Sequence, residues 1–183
     1  KWGMDTATHV PNGLDVGDVA PAFSVADIHG EKINLHNQLK QGKVVLIFYR
    51  GQWCPVCSRY LSNFQDSVNY ILDKGASVIA ITPETSANAI KMVGKTGMTF
   101  TIIPDEDRQI MKAYDVLFDV TNKYQNKIKV ALFTDIAKNN GAENAQLPVP
   151  ATYIINQEGN IEQVFFDYNY KNRASVGDIL KSL

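Results

Sequence analysis

The chain has 183 residues, of which 45% are apolar and 20% charged, a composition that suits a single globular domain over 1–183 with a full hydrophobic core. Its 18 basic and 19 acidic side chains leave a formal charge of -1. That near-balance gives no electrostatic footprint for nucleic acid or for an anionic membrane, and no run approaches the roughly 18 consecutive apolar residues of a membrane span.

The first residue is Lys1 rather than Met, so a trimmed N-terminus is expected, and a signal peptide is one candidate for what was removed. The two cysteines do not fix the compartment, because paired thiols serve in the cytoplasm and in the periplasm alike. The oligomeric state is left open.

Residues 1–20 carry Gly, Pro, Asp and Asn without periodicity and read as an irregular lead-in. "FSVADIHGEKINL" (23–35) predicts a β-hairpin turning at His29-Gly30. "KVVLIFY" (43–49) is an unbroken β-branched and aromatic run, the mark of a central strand covered on both faces. From Cys54 to Leu72 the apolar residues recur at three and four, which predicts one helix with Pro55 in its first turn.

"SVIAIT" (77–82) and "TFTII" (99–103) predict two further strands, with a helix over "ANAIKMVGKTG" between them. This alternation implies a parallel α/β core with right-handed crossovers. "DRQIMKAYDV" (107–116) predicts a short helix. Residues 117–147 are polar with a helical stretch at their centre, and read as an insertion covering one end of the domain. "ATYIINQEGNIEQVFF" (151–166) predicts a hairpin around residues 157–160, and "ASVGDILKSL" a closing helix.

Both cysteines lie in "FYRGQWCPVCSRYL" (48–61), three positions apart, where a strand hands over to a helix. A structural zinc site needs four ligands, and one pair plus three histidines confined to the N-terminal part, His9, His29 and His36, does not supply them. A purely structural disulfide would close a tiny loop and constrain little of the unfolded chain. A working dithiol is the expectation, with no cofactor beyond the cysteine pair and no metal. A thiol at a helix N-terminus faces free N–H groups and the positive end of the dipole, which favours thiolate. Cys54 is therefore expected to be the exposed, low-pKa attacker and Cys57 the shielded resolver.

A buried strand, W-C-x-x-C at a helix start and a proline before the distal hairpin resemble the thioredoxin fold. "GLDVGDVAPAFSVADIHGEKINL", "VVLIFYRGQWCPVC", "PDEDRQIMKAYDV" and "LPVPATYIINQEGNI" together resemble the peroxiredoxin-like branch of the AhpC/TSA group across most of residues 13–182, with 117–147 largely outside it. The implied fold is a thioredoxin-like α/β domain, a central mixed sheet flanked by helices, with an N-terminal hairpin and a helical insertion before the distal hairpin. The family's P-x-x-x-T-x-x-C places Arg50 at its proline, Cys54 at its threonine and Cys57 at its peroxidatic cysteine. Its activating arginine falls on Pro150, where thioredoxins carry a proline.

The resemblance thus implies a peroxiredoxin scaffold with a thioredoxin-like site. The expected activity is thiol-disulfide exchange with a protein or small-molecule disulfide and a recycling reductant. A thiol peroxidase using Cys57 is the alternative, and a Cu(I) carrier holding the metal on both thiolates is a third. For exchange, the Val149-Pro150 bond should be cis and turn the Val149 backbone toward the cysteines as a docking edge. Trp53 is expected to shape the docking surface beside Cys54, and Arg50 either stabilises a thiolate or is a solvated loop side chain. Tyr60 leaves no acid at a position where similar reductases carry Glu. Glu84 is a candidate substitute, or an exposed loop acid.

Overall fold

The computed structural model describes residues 2–5 and 7–183. Strands β1 (Ser24–Ala26) and β2 (Lys32–Asn34) pair antiparallel, Ser24 opposite Asn34, and form the expected hairpin. Helix α1 (Leu35–Leu39) follows at once, with the Asn34 side chain accepting from the Asn37 N–H as its cap. Then comes β3 (Val44–Phe48), whose five side chains are all buried.

Helix α2 (Pro55–Gln65) and helix α3 (Val68–Asp73) replace the single helix expected from 54 to 72. The periodicity is continuous, but the chain breaks at Asp66-Ser67, residues of weak helix propensity. β4 (Ser77–Thr82), α4 (Ser86–Thr96) and β5 (Thr101–Pro104) follow, and α4 ends at Gly97, whose φ of +67° is the left-handed closing residue of a helix. Next are α5 (Gln109–Ala113), β6 (Leu117–Asp119), α6 (Asn122–Leu132), α7 (Ile136–Asn139) and β7 (Gln146–Pro148). β8 (Ala151–Ile155), β9 (Ile161–Phe166) and α8 (Val176–Leu180) complete the chain.

The main sheet has the order β5-β4-β3-β8-β9, parallel among β3, β4 and β5 and antiparallel where β8 meets β3 and β9. This is the mixed α/β sheet of a thioredoxin-like fold. Side chains alternate across a strand, and β3 accordingly feeds two cores. Val44, Leu46 and Phe48 pack with Leu35, Ile110 and Tyr114 on one face. Val45, Ile47 and Tyr49 pack on the other face with Cys54, Cys57, Leu61, Phe64 and Met92.

Residues 117–147, expected as an insertion covering one end of the domain, contribute side chains to the interior. Phe118, Val120, Ile128, Ile136 and Leu147 enter the same core as the two cysteines, and β6 pairs with β7 antiparallel. The helical centre was legible, but the apolar residues that anchor it are spaced too widely in sequence to signal burial. No helix among the described residues is long and apolar enough to cross a membrane.

Candidate functional site

Past the end of β3, the Tyr49 N–H still donates to Ile81 O at 3.0 Å, and the chain then turns through Gly51. Gly51 has φ +147°, and a Cβ there would stand 2.6 Å from Trp53 Nε1 and 2.9 Å from the Glu84 carboxyl carbon. Only glycine fits so close an approach. Cys54 is the N-cap of α2 with extended backbone, Pro55 occupies the first helical position, and the Ser58 N–H donates to Cys54 O at 3.0 Å. Proline suits that place because its missing N–H would have had no intrahelical partner. Cys57 lies two residues beyond Pro55, within the same turn.

The two thiols depart from the expected exposure and from the expected direction of their pKa shifts. Both are free and buried, Cys54 at 2% exposure and Cys57 at 0%, so Cys54 is not the exposed attacker. Burial alone would push the Cys57 thiol up, yet it is held well below its ordinary value. Its sulfur accepts from the Cys54 thiol, faces the positive charges of Arg173 and Arg50, and accepts from the Arg50 backbone N–H. Cys54 is pushed far up, first because its S–H donates to the Cys57 sulfur, then by burial and by the negative charge on Cys57, with Arg50 opposing. Position at the helix tip favours Cys54 as thiolate, but the donors converge on Cys57, and the convergence wins.

Arg173 is the residue that sequence reasoning missed. Its Nη2 lies 3.4 Å from Cys57 Sγ, its Nε donates to Tyr170 O at 2.8 Å, and its guanidinium lies over the Tyr60 ring at 5.5 Å. The loop carrying it is tied down locally. Asp167 accepts from the Asn169 N–H and from Asn172 Nδ2, both at 2.7 Å, which holds its carboxyl below the usual range. The Tyr168 hydroxyl donates to Pro11 O at 2.8 Å. Nothing in "DYNYKNRASV" signals this role, because one arginine in a polar stretch looks solvated.

Arg50 is not a solvated loop side chain; it is 2% exposed. Its guanidinium carbon lies 4.4 Å from the Tyr170 ring centroid, 5.2 Å from Trp53 and 5.3 Å from Tyr124, and its Nη2 donates to the Tyr124 hydroxyl at 2.7 Å. Among the described residues it forms no ion pair with a carboxylate. Trp53 is 7% exposed, so it walls the guanidinium and offers no docking surface.

Glu84 is fully buried rather than an exposed loop acid. It accepts from the Gln52 N–H at 2.8 Å and from Asn139 Nδ2 of α7, and burial raises its pKa to about 7. It thereby joins the cysteine loop to the 117–147 segment.

The expected cis bond at Val149-Pro150 is not present; among the described residues every peptide bond is trans. Val149 continues from β7 and its N–H donates to Val116 O at 2.7 Å, so that donor is spent inside the protein. Pro150 instead lines a cavity of about 320 Å³ with Thr152, Phe165, Phe166 and Arg173. The cavity reaches the arginine that touches Cys57. The arrangement therefore brings together a buried sulfur whose thiol is held below its ordinary value, a guanidinium 3.4 Å from it, and a second buried thiol in the same helical turn.

The model of the AhpC/TSA family matches residues 16–164. The chain is 28% identical over 170 residues to the putative peroxiredoxin bcp of Helicobacter pylori J99, covering 93% of this chain and 98% of that one. It is 25% identical over 165 residues to peroxiredoxin Bcp of Escherichia coli K12, covering 90% and 94%. In structure it is similar to peroxidoxin BcpB from Mycobacterium tuberculosis, with a TM-score of 0.69, 17% identity and coverage of 95% and 96%. Residues 117–147, expected to lie largely outside the resemblance, fall within the matched span, whereas Arg173 falls beyond it.

Proposed function

Because this chain belongs to the AhpC/TSA family, we propose that it is a thiol peroxidase of the peroxiredoxin type in which Cys57 attacks and Cys54 resolves. The carrying observation is the Arg173 guanidinium 3.4 Å from the buried Cys57 sulfur. A thiolate needs donors to survive burial, and a fixed cation beside it also stabilises the oxygen that leaves as the O–O bond breaks. Relatives named as peroxiredoxins over nearly their whole length support the reading.

The thiolate of Cys57 attacks one oxygen of a hydroperoxide. An S–O bond forms, the O–O bond breaks, and the departing oxygen takes a proton and leaves as water or an alcohol. Cys57 is then a sulfenic acid, two electrons poorer. Cys54 displaces the hydroxyl, water leaves, and a Cys54–Cys57 disulfide remains. An external thiol or dithiol returns the two electrons.

Thiol-disulfide exchange led by Cys54 has less support. Its sulfur is buried and protonated, and the backbone donor expected to dock a partner is engaged by Val116. Neither objection touches a small peroxide entering beside Arg173.

Single-cysteine variants test the assignment with a sulfenic acid trap. Cys54→Ser treated with hydroperoxide should carry the trap on Cys57, and Cys57→Ser should carry none. Trapping on Cys54, or peroxide consumption by Cys57→Ser at the parent rate, would overturn it.

A further inference from the structure

In the reduced protein two guanidinium groups, the buried Arg50 and the half-buried Arg173, face one thiolate, Cys57. Arg173 touches that thiolate directly. Arg50 acts on it through the charge of its guanidinium and through its backbone N–H, while its side chain sits among Trp53, Tyr124 and Tyr170 with no carboxylate partner among the described residues. Its Nε is buried without a hydrogen-bond partner. A cation desolvated to this degree is costly unless an anion accompanies it at some stage of the cycle.

Oxidation removes the anion. Once Cys57 becomes a neutral sulfenic acid, the site keeps two cations and no thiolate. The Cys54 thiol then loses the negative acceptor that kept it protonated. Trp53, against whose ring Arg50 is stacked, is the residue immediately before Cys54.

We propose that Arg50 is the positioning residue of the resolving step: its aromatic-walled guanidinium holds Cys54 as a thiolate as soon as Cys57 is a sulfenic acid. This rests on Cys57 being the attacking sulfur. Ionised Cys54 attacks the Cys57 sulfur, the S–S bond forms, the S–O bond breaks, and hydroxide leaves with the proton that Cys54 released, as water. The two electrons were already taken by the peroxide, so the step needs no further oxidant. Aromatic walls suit the task because they attract the cation without neutralising it, whereas a carboxylate would compete with the thiolate. The groups facing Cys54 are Cys57, Arg50 and Tyr124; Arg173, Glu84 and Tyr49 face Cys57.

Rapid mixing of hydroperoxide with Arg50→Gln and Arg50→Lys separates sulfenic acid formation from disulfide formation. In Arg50→Gln, disulfide formation should slow by about tenfold more than sulfenic acid formation, the effect of one pK unit on Cys54. Its rate should then climb with pH where the parent rate is flat, and Arg50→Lys should restore most of it. Equal slowing of both steps, an unchanged pH profile, or lysine performing no better than glutamine would overturn the inference. If Arg50→Gln does not fold, Tyr124→Phe removes only the hydroxyl that aims the guanidinium. It should shift the resolving pH profile in the same direction, and an unshifted profile would count against Arg50. Failure to form sulfenic acid on Cys57 in any variant would instead sink the peroxidase reading beneath it.

Discussion

Arg173 and Cys57 meet at 3.4 Å although 116 positions of chain separate them. The contact exists because β9 delivers the chain to the edge of the sheet and the Asp167–Asn172 staple bends it back over the start of α2. An arginine on this returning loop therefore reaches the sulfur from the side where Pro150 carries no charge.

Arg173→Ala should raise the pH at which the Cys57 thiolate forms and slow sulfenic acid formation by about 10²-fold, the scale of losing one fixed donor to a developing anion. The sign follows from Arg173 holding the thiol down. Arg173→Lys should restore part of the charge effect but not the donor geometry. Thiolate absorbance against pH and single-turnover rates check both, and unchanged values in Arg173→Ala would refute the role.

Glu84 makes stability fall as pH rises. Its folded pKa of about 7 lies above its ordinary 4.5, so between these values the native state binds more protons than the unfolded chain. The benefit is full below about pH 4.5 and lost as pH passes 7. Glu84→Gln, with the Asn139 amide turned to match, should flatten this decline and gain at most about 3 kcal/mol at pH 8 relative to its effect at pH 4. Urea unfolding of parent and variant at the two pH values measures the difference, and parallel curves would exclude a raised carboxyl.

Gly51→Ala should destabilise the fold by about 1–3 kcal/mol, because a side chain at φ +147° is strained and its Cβ meets Trp53 and the Glu84 carboxyl. The same shift should move the Gln52 N–H off Glu84. A thermal midpoint within error of the parent's would show that the loop relaxes freely.

The strands were legible because burial on both faces leaves an unbroken aliphatic signature, as in Val44–Phe48 and Ser77–Thr82. The helix start was legible from Pro55, and so was the pairing of the cysteines. The direction of the Cys57 shift was not, since Arg173, one of the groups that holds that thiol down, lies far along the chain and shares no motif with the cysteines. Helix position pointed to Cys54; the hydrogen bond from the Cys54 thiol to Cys57, then the charges of Arg173 and Arg50, work in the other direction. Pro150 misled for a related reason: a proline before β8 serves a cis turn or an ordinary strand entry equally well, and the Val149 hydrogen bond to Val116, which accompanies the trans form here, is a tertiary contact.

Both cysteines belong to the opening turn of one helix, Cys54 at its cap and Cys57 within it. On the proposed cycle, bond-making between them asks no other segment to travel, and amide exchange across α2 should be alike in the reduced and oxidised forms. Such a molecule changes its valence without changing its outline.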